Sequence, residues 1–398
     1  MQAAQGHAEG YYTIADNRSH AEGVYTAALR HSDNALSVCH AEGWGSVCTG
    51  QGGHAEGFGT YVYDIASHSE GYGKLNVTLT GNEGDVTYSV NVAPDDDWLN
   101  SYVGLNQNGV HYATKIIAID KVNNTITLEK TLEKVPTADL HFFIIHNKAL
   151  GAASHTEGIS NITEANSAHA EGAYNRATKI SSHAEGWANV SAGEASHAEG
   201  RNGRAYGDYS HTEGYANTAF GKATHAGGDG SLIVNLTGEA KATIYTTNIT
   251  PHATWVGRYI KKVAEDYRNI RYILITEIDT TNNTITVNET LDGTNALSST
   301  PYSIALGGAI ADYSFAHGRG VQAGTEAGAV FGKFNVPRNN ALFAIGNGSS
   351  YTSQHDAFYV DVDGNVYIAG NIVSTQMTQL TNKITELENR IAALEGKS

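Results

Sequence analysis

Imidazole and carboxylate recur together along this chain. The tetrapeptide His-(Ala/Ser/Thr)-Glu-Gly begins at His7, His20, His40, His54, His68, His155, His169, His183, His197 and His211. A weak base two residues from a carboxylate is a pair that can exchange a proton, form an ion pair or help to hold a metal. In an extended strand the His and Glu fall on one side and the small residues on the other. Catalysis needs a few such groups converging in one cleft, whereas here one pair is repeated along the sequence, so an enzyme is not expected. No nucleophile elbow, phosphate loop or HExxH motif occurs. Asp96 and Asp97 could form a glycosidase-type pair, but surface charge is the commoner role of adjacent acids. Each His has a Glu two residues on to take its ring proton, and no copy offers a second His close in sequence. No metal and no cofactor are therefore expected.

The spacing says which elements carry these groups. From His155 to His225 the starts fall 14 residues apart five times running; at His225 the motif continues as Ala226-Gly227-Gly228 and the Glu is lost. A last echo is His317-Gly318, and the first block keeps the beat from His40 to His68 after steps of 13 and 20. Fourteen residues are too few for a helix pair or a propeller blade, and fixed Gly with Ala, Ser and Thr between suits one coil of short strands and tight turns. The expectation is an all-β chain built as a parallel β-solenoid, or β-roll, its coils stacked about 4.8 Å apart. So small a coil encloses almost no interior, which leads us to expect several chains to close the core together. The residues expected to face the neighbouring chain are His20, Glu22, His40, Glu42, His54, Glu56, His68, Glu70, His155, Glu157, His169, Glu171, His183, Glu185, His197, Glu199, His211 and Glu213. The alternative is a charged stripe facing solvent. An inward ladder would give protonated His a partner, raise its pKa above about 6.5 and weaken assembly as pH climbs, with burial opposing that shift.

Ser19-His20-Ala21-Glu22-Gly23, Ser182-His183-Ala184-Glu185-Gly186 and Ser196-His197-Ala198-Glu199-Gly200 resemble the Ser-Val-Ala-Ile-Gly repeat of YadA-like trimeric adhesin heads. The resemblance covers residues 1–74, 149–230 and 307–330. It implies a homotrimer of left-handed parallel β-rolls lying side by side. His and Glu stand where that family usually has Val and Ile, so something polar must replace its apolar seam. The fading of the motif at Gly227 and Gly318 is expected to mark coils that cap or interrupt the roll.

The beat stops twice, and the two gaps hold insertions, residues 75–148 and 231–306, that read as copies of one another. Leu75-Asn76-Val77-Thr78-Leu79-Thr80-Gly81 answers Ile233-Val234-Asn235-Leu236-Thr237-Gly238, Trp98 answers Trp255, and Asn123-Asn124-Thr125-Ile126-Thr127 answers Asn282-Asn283-Thr284-Ile285-Thr286. Alternating β-branched residues broken by Asn-Asn predict a small antiparallel sheet or barrel in each, with a hairpin at Asn123 and at Asn282. Modules standing out from a roll are where recognition would sit, so Asp95, Asp96, Asp97, Trp98, Tyr102, Trp255, Tyr259 and Tyr267 are the candidate receptor-binding residues. The competing reading makes each Trp the plug of its module's core. Residues 331–371 are expected to be β-rich: Phe331-Gly332-Lys333-Phe334-Asn335, Leu342-Phe343-Ala344-Ile345-Gly346-Asn347-Gly348 and Ala357-Phe358-Tyr359-Val360-Asp361-Val362-Asp363-Gly364-Asn365-Val366-Tyr367-Ile368 resemble the strand segment that precedes the end of many tailed-phage fibre proteins; Asp363-Gly364 marks a hairpin, and Asp361, Asp363 and Asn365 read as a turn rather than a calcium loop. Residues 372–398 switch to a heptad seam, with Met377, Ile384 and Ile391 at one core position and Val373, Leu380, Leu387 and Leu394 at the other, a pattern of Ile and Leu that by itself leans toward two strands. Arg390-Ile391-Ala392-Ala393-Leu394-Glu395 resembles the Arg and Glu signature of three-stranded coils, so Arg390 and Glu395 are expected to pair between helices of a trimeric coiled coil.

Composition limits the partners. With 25 Lys and Arg against 41 Asp and Glu the formal charge is −16, which disfavours nucleic acid. Apolar runs such as 142–145 and 272–275 are far shorter than a membrane span, so no membrane insertion is expected. Cys39 and Cys48 are the two cysteines and read as free structural thiols. The expected function is a structural and receptor-binding fibre of a tailed phage or phage-like particle, located in the virion and extracellular. Its expected partners are a host-cell surface glycan or protein and other tail or baseplate proteins. The alternative is a bacterial surface adhesin with a YadA-like head; the export leader and carboxyl-terminal membrane barrel of such proteins are not read in this chain.

Overall fold

The computed structural model describes residues 6–16, 18–29, 38–82, 84–91, 94, 98–99, 101–105, 113–132, 142–262, 273–291, 296–369 and 371–395. The chain is all-β, a parallel β-solenoid with antiparallel insertions, followed by one carboxyl-terminal helix. It divides into two compact units, the first formed by Met1–Asn202, Ala264–Arg271 and Thr290–Ala296 and the second by Gly203–Val263, Tyr272–Glu289 and Leu297–Ser398.

In the first unit a coil is a strand opening on the motif His, of five residues except at His197–Ala198, a tight turn, and a second strand of two or three residues, as in His169–Ala173 and Arg176–Ala177. Successive coils pair in parallel with no slip: His20 lies on His40, Glu22 on Glu42 and Gly23 on Gly43. Small side chains point into the coil, where Ala21, Ala41, Ala55, Ser69, Thr156, Ala170 and Ala184 are fully buried. The motif Gly is demanded by the stacking, because Gly172 has φ +93° and a Cβ there would lie 2.4 Å from the carbonyl oxygen of Gly186. Both turns of a coil pass through the left-handed region, and non-glycine residues stand there at 14-residue intervals: Ser160, Tyr174 and Ala188 in one turn, Ser167, Ser181 and Ala195 in the other.

The strain of about 1–2 kcal/mol at each L-residue is held by the sheets on either side.

The first insertion leaves the roll without breaking it, since His68–Tyr72 pairs directly with His155–Ile159. The insertion itself is an antiparallel sheet in the order 74–77, 142–145, 102–105, 113–120, 125–128, 87–90, 79–80. Its core gathers Val77, Leu79, Tyr88, Trp98, Val103, Ile116, Ile126 and Phe142.

The second unit repeats the scheme. His211 lies on His225, and His225–Asp229 pairs with Phe315–Arg319 across the second insertion, which is a closed antiparallel barrel. Both hairpins carry the same turn: Asp120 Oδ1 accepts from the Asn123 amide at 3.0 Å, Asp279 Oδ1 accepts from the Asn282 amide at 3.0 Å, and Asn124 and Asn283 both have φ +53°. The segments at Tyr102 and Tyr259 are strands, Tyr102–Leu105 and Tyr259–Lys262.

Two expectations need correction here. The parallel stack extends past residue 330, because Ala329–Lys333 pairs in register with Phe315–Arg319 and then with Ala341–Asn347. The motif's fading therefore caps nothing at Gly227 or Gly318, although the second insertion does leave the chain directly after the Gly227 coil: backbone pairing needs only small residues inside the coil, and Ala226, Ala316 and Val330 supply them. Beyond Asn347 the strands turn antiparallel, and Asp361 Oδ1 accepts from the amides of Asp363 and Asn365 to close the hairpin at Gly364. Helix α1 spans Val373–Glu395, and among the described residues no helix is long and apolar enough to cross a membrane.

Candidate functional site

Stacking turns the repeated motif into a continuous column. From His20 through His40, His54, His68, His155, His169 and His183 to His197, neighbouring imidazoles lie 4.6–5.0 Å apart with planes within 15° of parallel. The Glu two residues on stands beside each ring, with Nε2 to Oε2 distances of 3.3–3.8 Å for His20–Glu22, His40–Glu42, His54–Glu56, His68–Glu70, His169–Glu171 and His183–Glu185. These are contacts of an ion pair if the ring is protonated, and none is a hydrogen bond: the Nε2 atoms of His20, His40, His54, His68, His155, His169 and His183 are shielded from solvent with no hydrogen-bond partner. The His side chains are about a third exposed and the Glu side chains 32–55 % exposed, so the column lies on the outer face of the coil with its rim open. His155–Glu157, His197–Glu199 and His211–Glu213 continue the same columns in their own units.

The electrostatics run opposite to the sequence expectation. His40, His68, His169, His183 and His225 are all held below the ordinary value of 6.5, first by burial and next by the neighbouring imidazole. The adjacent Glu pulls upward but is outweighed, because each ring has a like-charged ring stacked on it and Nε2 has lost its water. Glu185 is pushed up, again by burial first.

Stacking also supplies what the linear sequence lacks. Each ring meets a second His from the next coil, and His40, Glu42 and His54, or His183, Glu185 and His197, present ligand atoms within 4.8 Å of one another. The reading that no second His stands close holds along the chain and fails across coils.

Two further columns went unnoticed in the sequence. Asn147, Asn161, Asn175 and Asn189 are buried, each side-chain oxygen accepting from the backbone amide of the next at 2.8–2.9 Å, and Asn175 Nδ2 donates to the carbonyls of Glu171 and Gly186 at 2.5 and 2.9 Å. Their 14-residue spacing was the available signal. The residue after the motif Gly forms a partly exposed aromatic column, with Trp44 stacked on Phe58 at 4.2 Å and Phe58 on Tyr72 at 5.1 Å.

The candidate receptor residues divide. Trp98 and Trp255 are each 3 % exposed, so neither offers its ring to a ligand; a small module needs one large plug to exclude water. Tyr102 is half-buried with its ring 5.4 Å from Tyr61, and Tyr259 lies on its strand. Asp95, Asp96, Asp97 and Tyr267 lie outside the described residues. Cys39 and Cys48 are buried and unbridged. In helix α1 Met377, Leu380, Ile384, Leu387, Ile391 and Leu394 are 48–71 % exposed, and Arg390 is exposed on the same helix.

No family model and no curated protein matches this chain.

What the arrangement offers is repetition: one imidazole and one carboxylate per coil, presented in line along one face.

Proposed function

We propose that this chain is one strand of a homotrimeric, non-enzymatic fibre that attaches a tailed phage or phage-like particle to a bacterial surface. The observation that carries the proposal is the apolar seam of helix α1. Six large apolar side chains at heptad spacing stand in water on one helix whose packing contacts are with the short strands preceding it. Such a seam is hidden by identical helices. The Arg390 and Glu395 pattern favours three of them.

The outer face of the rolls supports the same stoichiometry. A coil filled by Ala, Ser and Asn buries little apolar surface, so a neighbouring chain laid on the His and Glu column would add the burial each coil lacks. The likeness of the repeat to YadA-like heads belongs to the same reading, with polar columns in place of that family's apolar seam. The inserted modules and the aromatic column at Trp44, Phe58 and Tyr72 are the surfaces we assign to a glycan or protein receptor. The likeness of the repeat alone also favours a second reading, a bacterial surface adhesin.

Sedimentation equilibrium of the purified chain tests the assembly: a species of three times 42.3 kDa is expected. A monomer at micromolar concentration, fully folded, overturns it. Binding of the trimer to candidate bacterial cells, against binding to animal-cell glycans and matrix proteins, separates fibre from adhesin.

A further inference from the structure

The repeat is broken at one place in a way that stacking alone does not explain. In the column that carries Glu elsewhere, successive rungs of the second unit present Glu213, Gly227, His317 and Phe331. In the column that carries His they present His211, His225, Phe315 and Ala329. The Glu has been deleted from one rung, and a His has been moved into the Glu column of the next.

The deletion opens a gap that the relocated His crosses. A Cβ on Gly227 would lie 2.5 Å from His317 Nδ1 and 2.8 Å from Glu213 Oε1, so any side chain there would hold the two apart. With Gly227 between them, His317 Nδ1 comes to 3.5 Å from Glu213 Oε1, and His225 Nε2 lies 3.2 Å from the same oxygen. All three ligand atoms fall within 4.8 Å of one another. Three donors bound to zinc at about 2.0–2.1 Å in a tetrahedral array stand about 3.3 Å apart.

Ring orientation separates this cluster from the regular column. Imidazoles stacked within 15° of parallel aim their in-plane lone pairs side by side, and such lone pairs do not meet at one point. His225 departs from the stack, tilted 46° from His211 and 56° from Phe315. His317 enters from the other column. The side chains of His225, Glu213 and His317 are 31 %, 36 % and 48 % exposed, which leaves a path for an ion from solvent.

We propose that His225 Nε2, His317 Nδ1 and Glu213 Oε1 form a binding site for a borderline divalent transition metal of the zinc type. Two imidazoles and one carboxylate are a ligand set of that class, with a fourth position left for water or for a ligand from outside the chain. Binding needs the imidazoles neutral.

The test is calorimetric titration of the full chain with zinc chloride, paired with the visible absorption of the cobalt-substituted protein. Wild type is expected to bind with a tetrahedral cobalt spectrum. His317→Phe, which copies the Phe331 of the next rung, and Gly227→Glu, which restores the repeat, are expected to lose at least about tenfold in affinity and that spectrum. His54→Phe, in the regular column of the first unit, is expected to leave both unchanged. Circular dichroism of each variant separates loss of metal from loss of fold, and the two substitutions at 227 and 317 act independently. Wild type without binding at micromolar zinc, undiminished binding in folded His317→Phe, or loss in folded His54→Phe would each overturn the assignment.

Discussion

A histidine that keeps its proton less readily in the fold than in the open chain makes stability depend on pH in one direction. For His40, His68, His169 and His183 the folded pKa lies below the unfolded value of 6.5, so between the two the unfolded chain binds more protons. Their contribution is intact above about pH 6.5 and is lost as pH falls toward the lowered folded values. Thermal melting followed by circular dichroism should show a flat midpoint from pH 7 to 8 and a falling one toward pH 5. A midpoint that rises on acidification would mean that the neighbouring Glu outweighs burial and ring stacking. At the same scale, Asn175→Ala removes a side chain that bonds three backbone groups, the Glu171 carbonyl of its own coil and the Gly186 carbonyl and Asn189 amide of the next. A loss of about 1–3 kcal/mol in urea unfolding is expected.

One coil tolerates little change where backbone meets backbone. Gly172→Ala places a methyl 2.4 Å from the Gly186 carbonyl oxygen at φ +93°, so the two rungs must part or the strand must shift. The expected cost is about 2 kcal/mol or more, read as a lower urea midpoint. Ala188, at φ +55° in the turn, is the reverse case: Ala188→Gly relieves the strain and should leave stability unchanged or improve it by about 1 kcal/mol. In the inserted modules the Trp residues belong to the core, so Trp98→Ala should lower the module's stability by about 3–5 kcal/mol. Receptor contacts, if the modules make them, lie on side chains other than these indoles.

Assembly is where the whole-chain reading can fail. Leu380→Asp combined with Leu387→Asp puts charge at two successive positions of the exposed α1 seam and should convert a trimer to monomers in sedimentation velocity. Unchanged mass in that variant would place the trimer contacts in the rolls alone. Removing residues 75–148 should preserve the parallel stack, because His68–Tyr72 already pairs with His155–Ile159 across the insertion. If the first module recognises the receptor, that shortened chain should lose cell binding while keeping its trimeric mass.

The period of 14, the two insertions, their Asn-Asn hairpins and the heptads near the end are all legible in the sequence. Each depends on residues close along the chain: strand alternation, turn chemistry and helical spacing act within one coil or one hairpin. Which groups meet across coils was decided only in three dimensions. Stacking brings residues 14 apart, or 90 apart in the case of Gly227 and His317, to the distance of neighbouring strands. That proximity lowered the His pKa values, lined up the Asn ladder and drew Glu213, His225 and His317 together. Burial of Trp98 and Trp255 was likewise set by packing, since an indole reads the same on a surface as in a core until its neighbours are in place.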